Sequence, residues 1–126
     1  ALPHHIPITD QIREILDHLK NRSGWQEYVF WSPRGKTYKH VCPDAPNKYL
    51  ISLGYKGLLT AHGWRDLPLT AGQDELECNA ETIQRQMGHL IGDEVRQAYD
   101  KSITLKPRKE FLEKWCSALV ERGFKV

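Results

Sequence analysis

"LKPRKEFLEKWCSALVERG", residues 105–123, carries the strongest structural signal in this sequence. Phe111, Leu112, Trp115 and Leu119 recur at three- and four-residue steps, the spacing that brings side chains onto one face of an α-helix. Pro107 fits the first turn, where its missing N–H would lack an intrahelical partner anyway, and Gly123 suits the stop. The pattern predicts a helix that buries this stripe. Cys116, on the same helix, reads as a small apolar residue.

Working outward, helical signals dominate. Asn79 is a good cap for "AETIQRQM", in which Ile83 and Met87 share a face, and Gly88 ends the run. A short helix is expected from about Asp93 through Tyr99. Thr60 in "TAHGWRD", residues 60–66, is a plausible cap for another helix, and "DAPNKYLISLGYKG" reads as a short helix ending near Gly54. From Asp10, the spacing of Ile12, Ile15, Leu16 and Leu19 predicts a helix that stops at Gly24, with Thr9 capping it. Two segments read as short strands, "HHIPIT" near the start and "YVFW" at residues 28–31, the second followed by a turn in "SPRGKTYK". The expected class is mainly α with a small β element.

Composition narrows the possibilities. At 126 residues, 40% hydrophobic and with four Trp, the chain has the material for one small domain with a core. No apolar run approaches the roughly 20 residues needed to span a bilayer. "ALPHHIPITD" has neither the basic start nor the apolar centre of a signal peptide. Cys42, Cys78 and Cys116 are odd in number and widely spaced, which argues against a disulfide framework and for a reducing cytoplasm. The abrupt start suggests a fragment of a longer protein. Net charge is only +2 but segregated. Residues 20–65 hold Lys20, Arg22, Arg34, Lys36, Lys39, Lys48, Lys56 and Arg65 against Glu27 and Asp44, whereas residues 66–100 carry eight acids against Arg85 and Arg96. Such segregation fits a face for a polyanion and fits ordinary solvated surface equally well.

Taken singly, the chemically interesting side chains are ordinary. His62 and Arg65, three apart, would share a helix face and suit a phosphate, since the Arg fork grips two oxygens and the His adds a hydrogen bond. An isolated H-x-x-R is more often a surface pair, with the Arg beside Asp66. His89 follows a helix-ending Gly, where an incidental surface His is common. Tyr99, in "RQAYDKS", usually would be structural. Trp64 reads as core in preference to a base-stacking platform. No carboxylate cluster or Cys/His pair at zinc spacing accompanies these residues, and His4 and His5 lie beside Pro on an extended segment, so neither metal nor other cofactor is expected.

In combination and order, "HGWR", "IQRQMGHL" and "VRQAYDKS" resemble the catalytic end of the tyrosine recombinase, or phage integrase, family. "HHIPIT" resembles the strand and turn that open this half of the family's catalytic domain, "YVFWSPRG" its next landmark, and "LEKWCSALVE" its closing helix. The resemblance covers nearly the whole chain and looks closest to integrases of prophages and genomic islands. It implies that residues 1–126 are the C-terminal portion of a DNA breaking–rejoining catalytic domain, with the upstream catalytic half and separate DNA-binding domains absent.

The resemblance further implies His62, Arg65, His89 and Tyr99 as catalytic groups, with Tyr99 the nucleophile. The phenol would attack a phosphate of duplex DNA at an attachment site, forming a 3′-phosphotyrosine and releasing a 5′-hydroxyl, so that rejoining needs neither ATP nor metal. With a pKa near 10, roughly one free Tyr in a thousand is ionised at pH 7, so the site must supply on the order of 4 kcal/mol to the attacking oxygen. Cations around the phosphate provide part of this and stabilise the transition state. Arg34, Lys36, Lys39 and Lys48 are candidates for DNA phosphates, with salt-dependent binding as their signature. The implied setting is the bacterial cytoplasm, at the nucleoid. The implied partners are a tetrameric synapse of full-length subunits, a DNA-bending protein and an excisionase, with no membrane.

Two departures limit the match. The family's first arginine and its lysine find no counterpart, because Arg13, Arg22 and Arg34 stand in the wrong context and Lys36 lies past the expected position. The fragment alone is therefore expected to be inactive, since losing a phosphate clamp costs at least ~10²-fold. Pro68, three residues after Arg65, implies either a kinked helix or one in which "HGWR" occupies only the first turn. Competing readings are an inactive remnant that binds DNA or integrase subunits, and a non-enzymatic helical interaction module.

Overall fold

A computed structural model describes residues 4–34, 39–89 and 105–125. Among these residues there are five helices and no strand: α1 (Asp10–Ser23), α2 (Ala45–Ser52), α3 (Ala61–Asp74), α4 (Ala80–Gln86) and α5 (Leu105–Glu121). They divide into two compact units, one of Ala1–Thr9 with Arg65–Lys125 and the other of Asp10–Trp64, so the boundary falls inside α3. Tyr99, Lys36 and the short helix expected over Asp93–Tyr99 lie outside the described residues.

In the first unit α4 packs against α5. The stripe on α5 closes on Ile83, which is fully buried, and Phe111 is 2% exposed. Leu112, Cys116 and Ala118 are buried beside it, while Trp115 and Leu119 are half-buried. The rings of Phe111 and Trp115 stand 6.5 Å apart. The second half of α3 completes this core through a glycine. A Cβ at Gly72 would come within 2.9 Å of Ile83 Cδ1 and 3.0 Å of Phe111 Cε2, so any other residue there would have to displace one of them.

In the second unit, α1 begins after Thr9 and stops before Gly24, whose N–H reaches the Lys20 carbonyl at 2.7 Å. The α1 stripe is amphipathic but has no buried residue. α2 starts with Pro46 in its first turn, and Gly54, at φ +92°, follows its C-cap residue Leu53. Two side chains hold the start of α3. Thr60 Oγ1 accepts from the Gly63 N–H at 2.9 Å, and Asn47 Oδ1 accepts from the Ala61 N–H at 2.8 Å.

Three expectations need correction. "HHIPIT" forms no strand: Ile6 and Ile8 are exposed, Pro7 has no N–H to give a ladder, and no described segment pairs with it. "YVFW" supplies only an isolated antiparallel bridge, Trp31 with His40, flanked by the Val41 N–H to the Phe30 carbonyl at 2.7 Å. Trp64 is 56% exposed, because burial on α3 begins one turn later, at Pro68. As for Pro68 itself, α3 runs through it to Asp74, with "HGWR" in the first turn of the helix. The helix gives up only the hydrogen bond that residue 68 would have donated to the Trp64 carbonyl. No described helix is long and apolar enough to cross a membrane, and all three cysteines are free.

Candidate active site

The best-defined polar arrangement is built on the end of α4. Asn79, in extended conformation, caps the helix start by accepting the Thr82 N–H at 3.2 Å. At the other end the chain turns back through Gly88 at φ +74°, a conformation that glycine adopts without cost. The Gly88 N–H reaches the Arg85 carbonyl at 3.1 Å and the His89 N–H reaches the Gln84 carbonyl at 3.0 Å. This is the Schellman pattern, and it satisfies two of the four carbonyls that a helix C-terminus leaves unpaired. It also fixes the backbone of His89 directly after the turn.

The other two carbonyls are taken by side chains from distant parts of the sequence. Arg65 Nη2 donates to the Met87 carbonyl. His4 Nε2 lies 3.1 Å from the Gln86 carbonyl, and because a carbonyl only accepts, Nε2 carries the proton. Both groups lie within ordinary contact of the turn. A Cβ at Gly88 would lie 3.8 Å from His4 Nε2 and 3.9 Å from Arg65 Nη2. Beneath them sits Arg108, 5% exposed, donating from Nε to Gln86 Oε1 at 2.9 Å and from Nη2 to the His5 carbonyl. Burial pushes the Arg108 pKa below its ordinary value, though a guanidinium stays charged in a protein. One arginine thus ties residues 4–9, α4 and α5 together. Nearby, the Thr9 hydroxyl lies 3.4 Å from Cys116 Sγ on α5.

Of the residues singled out from the sequence, Arg65 and His89 meet at this turn, the first through its guanidinium and the second through its backbone. Arg65 is exposed, and Met87 occupies one of its five N–H donors. His62 is exposed on α3, three residues before Arg65. Arg34 and Lys39 are exposed, as is Lys48, which pairs with Asp44 at 3.5 Å. No group of three or more His, Cys, Asp or Glu among the described residues is arranged to hold a metal ion.

Sequence reading missed His4, Gln86 and Arg108. For Arg108 there was a signal. It sits three and four residues before Phe111 and Leu112, on the register of the apolar stripe, and a charge at such a position needs a partner. His4 had no such signal, because its acceptor is a backbone carbonyl.

Comparison with known proteins gives the class: the chain is a relative of phage and prophage integrases and aligns with a portion of them. It is 31% identical over 120 residues to the integrase of Shigella phage Sf6, and equally to the prophage integrase IntS of Escherichia coli strain K12. Each match takes in 94% of this chain and 31% of the relative. The prophage integrase IntZ of the same strain is 30% identical over 117 residues, 93% of this chain and 28% of that protein. The chain therefore spans about a third of the length of these relatives. No protein-family model matches it, and no solved structure matches it significantly.

Proposed function

We propose that the chain is the C-terminal part of the catalytic domain of a tyrosine-type integrase, which recombines a prophage or genomic island with its host DNA at the nucleoid. The observation that carries this reading is the Arg65 guanidinium on the turn that leads into His89, in a chain related to integrases along 94% of its length. In this reading Tyr99 Oη attacks a backbone phosphorus and a 3′-phosphotyrosine bond forms. The bond to the 5′-oxygen breaks, and that oxygen leaves as a hydroxyl. The proton lost by the phenol equals the proton gained by the leaving oxygen, and His62 assists that transfer. Arg65 clamps the non-bridging oxygens with its fork and His89 donates a further hydrogen bond. Arg34, Lys36, Lys39 and Lys48 take DNA phosphates outside the scissile site. Full-length subunits act as a tetramer on paired attachment sites, with a DNA-bending protein and an excisionase as further partners.

The test uses the full-length protein and a duplex nicked beside the crossover point, so that cleavage traps the covalent product. A protein–DNA band that disappears in Tyr99→Phe is the expected result. Persistence of the band in that variant assigns the nucleophile elsewhere. No band on any candidate site favours a remnant that binds DNA or integrase subunits.

A further inference from the structure

We infer that His4 is a positioning residue of the candidate site, holding the turn that aims His89 and Arg65. The inference rests on the integrase reading for its catalytic consequence, but its structural half stands alone. The end of α4 has four carbonyls to satisfy, and the turn itself satisfies only those of Gln84 and Arg85. The Met87 carbonyl is taken by Arg65, the proposed phosphate clamp, and the Gln86 carbonyl by His4. Without the imidazole, the Gln86 carbonyl must turn toward water or compete for the Arg65 donor. Either movement shifts Gly88 and redirects the guanidinium.

His4 is itself held in place. The next carbonyl along the chain, that of His5, accepts from buried Arg108, which also grips the side chain of Gln86. The histidine that contacts the Gln86 main chain and the arginine that contacts its side chain therefore approach one residue from two directions. Gly88 supplies the positive φ that the turn between them needs, a conformation strained for any other residue. The arrangement has no role in filling the apolar core. Its effect is to fix one turn.

Three variants separate positioning from bulk stability: His4→Ala removes ring and donor, His4→Phe keeps a ring without the donor, and His4→Gln returns an amide N–H at the place of Nε2. Two readouts are taken on the full-length protein: hydrogen exchange at the Gly88 and His89 amides, with Ile83 as internal reference, and single-turnover cleavage of the nicked duplex beside DNA affinity. In His4→Ala and His4→Phe, exchange at Gly88 and His89 should rise by about tenfold, the scale of one lost hydrogen bond. Ile83, bonded to the Asn79 carbonyl, should be unchanged. Cleavage should fall by up to about 10²-fold, as for a misplaced catalytic group, with affinity within about threefold. His4→Gln should recover both. Unchanged exchange at the turn overturns the inference, and so does equal acceleration at Ile83, which would make His4 a general support. Loosening of the turn without slower cleavage overturns its catalytic half. If the wild-type protein cleaves nothing, the integrase reading fails, and the exchange pattern alone decides whether His4 holds the turn.

Discussion

The two units of this chain present the same sequence pattern buried to different depths. In the unit of α4 and α5, the stripe Phe111–Leu112–Trp115–Leu119 closes over Ile83, and the buried polar groups Thr9, Gln86 and Arg108 lie there too. In the unit of α1 and α2, the equally regular stripe Ile12–Ile15–Leu16–Leu19 has no fully buried residue: Ile12, Ile15 and Leu19 are half-buried and Leu16 is exposed. Among the described residues there, Leu50 is the fully buried apolar side chain, while Trp25, Phe30, Tyr49, Ile51 and Leu58 are all exposed. An apolar stripe therefore reports the face a helix would bury, and burial itself is decided by what stands opposite. The helices of the second unit rest on local signals, such as Thr60 and Asn47 at the start of α3 and Gly24 after α1. Those of the first unit add packing and a polar network.

The largest effect expected from this contrast is at Phe111. Truncation to Ala removes a side chain that is 2% exposed and leaves a cavity against Ile83 and Gly72, which costs about 3–5 kcal/mol. Urea unfolding monitored by circular dichroism measures the loss. A cost below about 1 kcal/mol would show that the α4–α5 core is not the stabilising centre of the molecule and would erase the distinction between the units.

The same contrast explains what the sequence disclosed. Helix limits were legible in both units because they depend on neighbours in the chain. Asn79 and Thr60 cap where expected, and Gly24 and Gly88 stop α1 and α4. Which of the two ways α3 meets Pro68 was not legible, since that depends on what packs around the helix. Nor was the absence of strands among the described residues, because "HHIPIT" has strand-like residues but a ladder needs a partner that no local pattern supplies. At the candidate site, Arg65 and His89 could be named as residue types, yet the Met87 carbonyl that holds Arg65 lies 22 positions away and carries no side-chain signature. Arg108 was hidden by the ordinary expectation that arginines face water.

A smaller effect separates two glycines of α3. Gly72→Ala places a Cβ at 2.9 Å from Ile83 Cδ1 and 3.0 Å from a Phe111 ring carbon. Overpacking of this kind costs about 1–3 kcal/mol, set against a gain of up to about 1 kcal/mol in helix propensity. The expected net is a loss. At Gly63 a Cβ meets only Thr60 Oγ1 at 3.3 Å and Leu59 Cδ1 at 3.9 Å. There the propensity gain is opposed by disturbance of a cap worth about 1 kcal/mol, so the variant should stay within about 1 kcal/mol of wild type. Paired thermal melts measure the difference. Equal destabilisation by both would mean that α3 is constrained alike along its length.

The smallest effect is the most discriminating. Leu16 stands on the α1 stripe at 39% exposure, and Leu and Ala differ little in helix propensity. If the stripe is as open in solution as it is here, Leu16→Ala should change stability by no more than about 0.5 kcal/mol, the usual range for a surface substitution. Leu112, a residue of the same type at 7% exposure, should lose about 2–5 kcal/mol on the same change. Measured side by side by urea unfolding, the pair sets one leucine from each stripe on a common scale. A Leu16 penalty approaching that of Leu112 would mean that something covers α1 in solution, and the contrast between the units would then belong to the isolated chain. A penalty near zero would leave the Leu16 side of α1 as surface, with the helix held by its own turns.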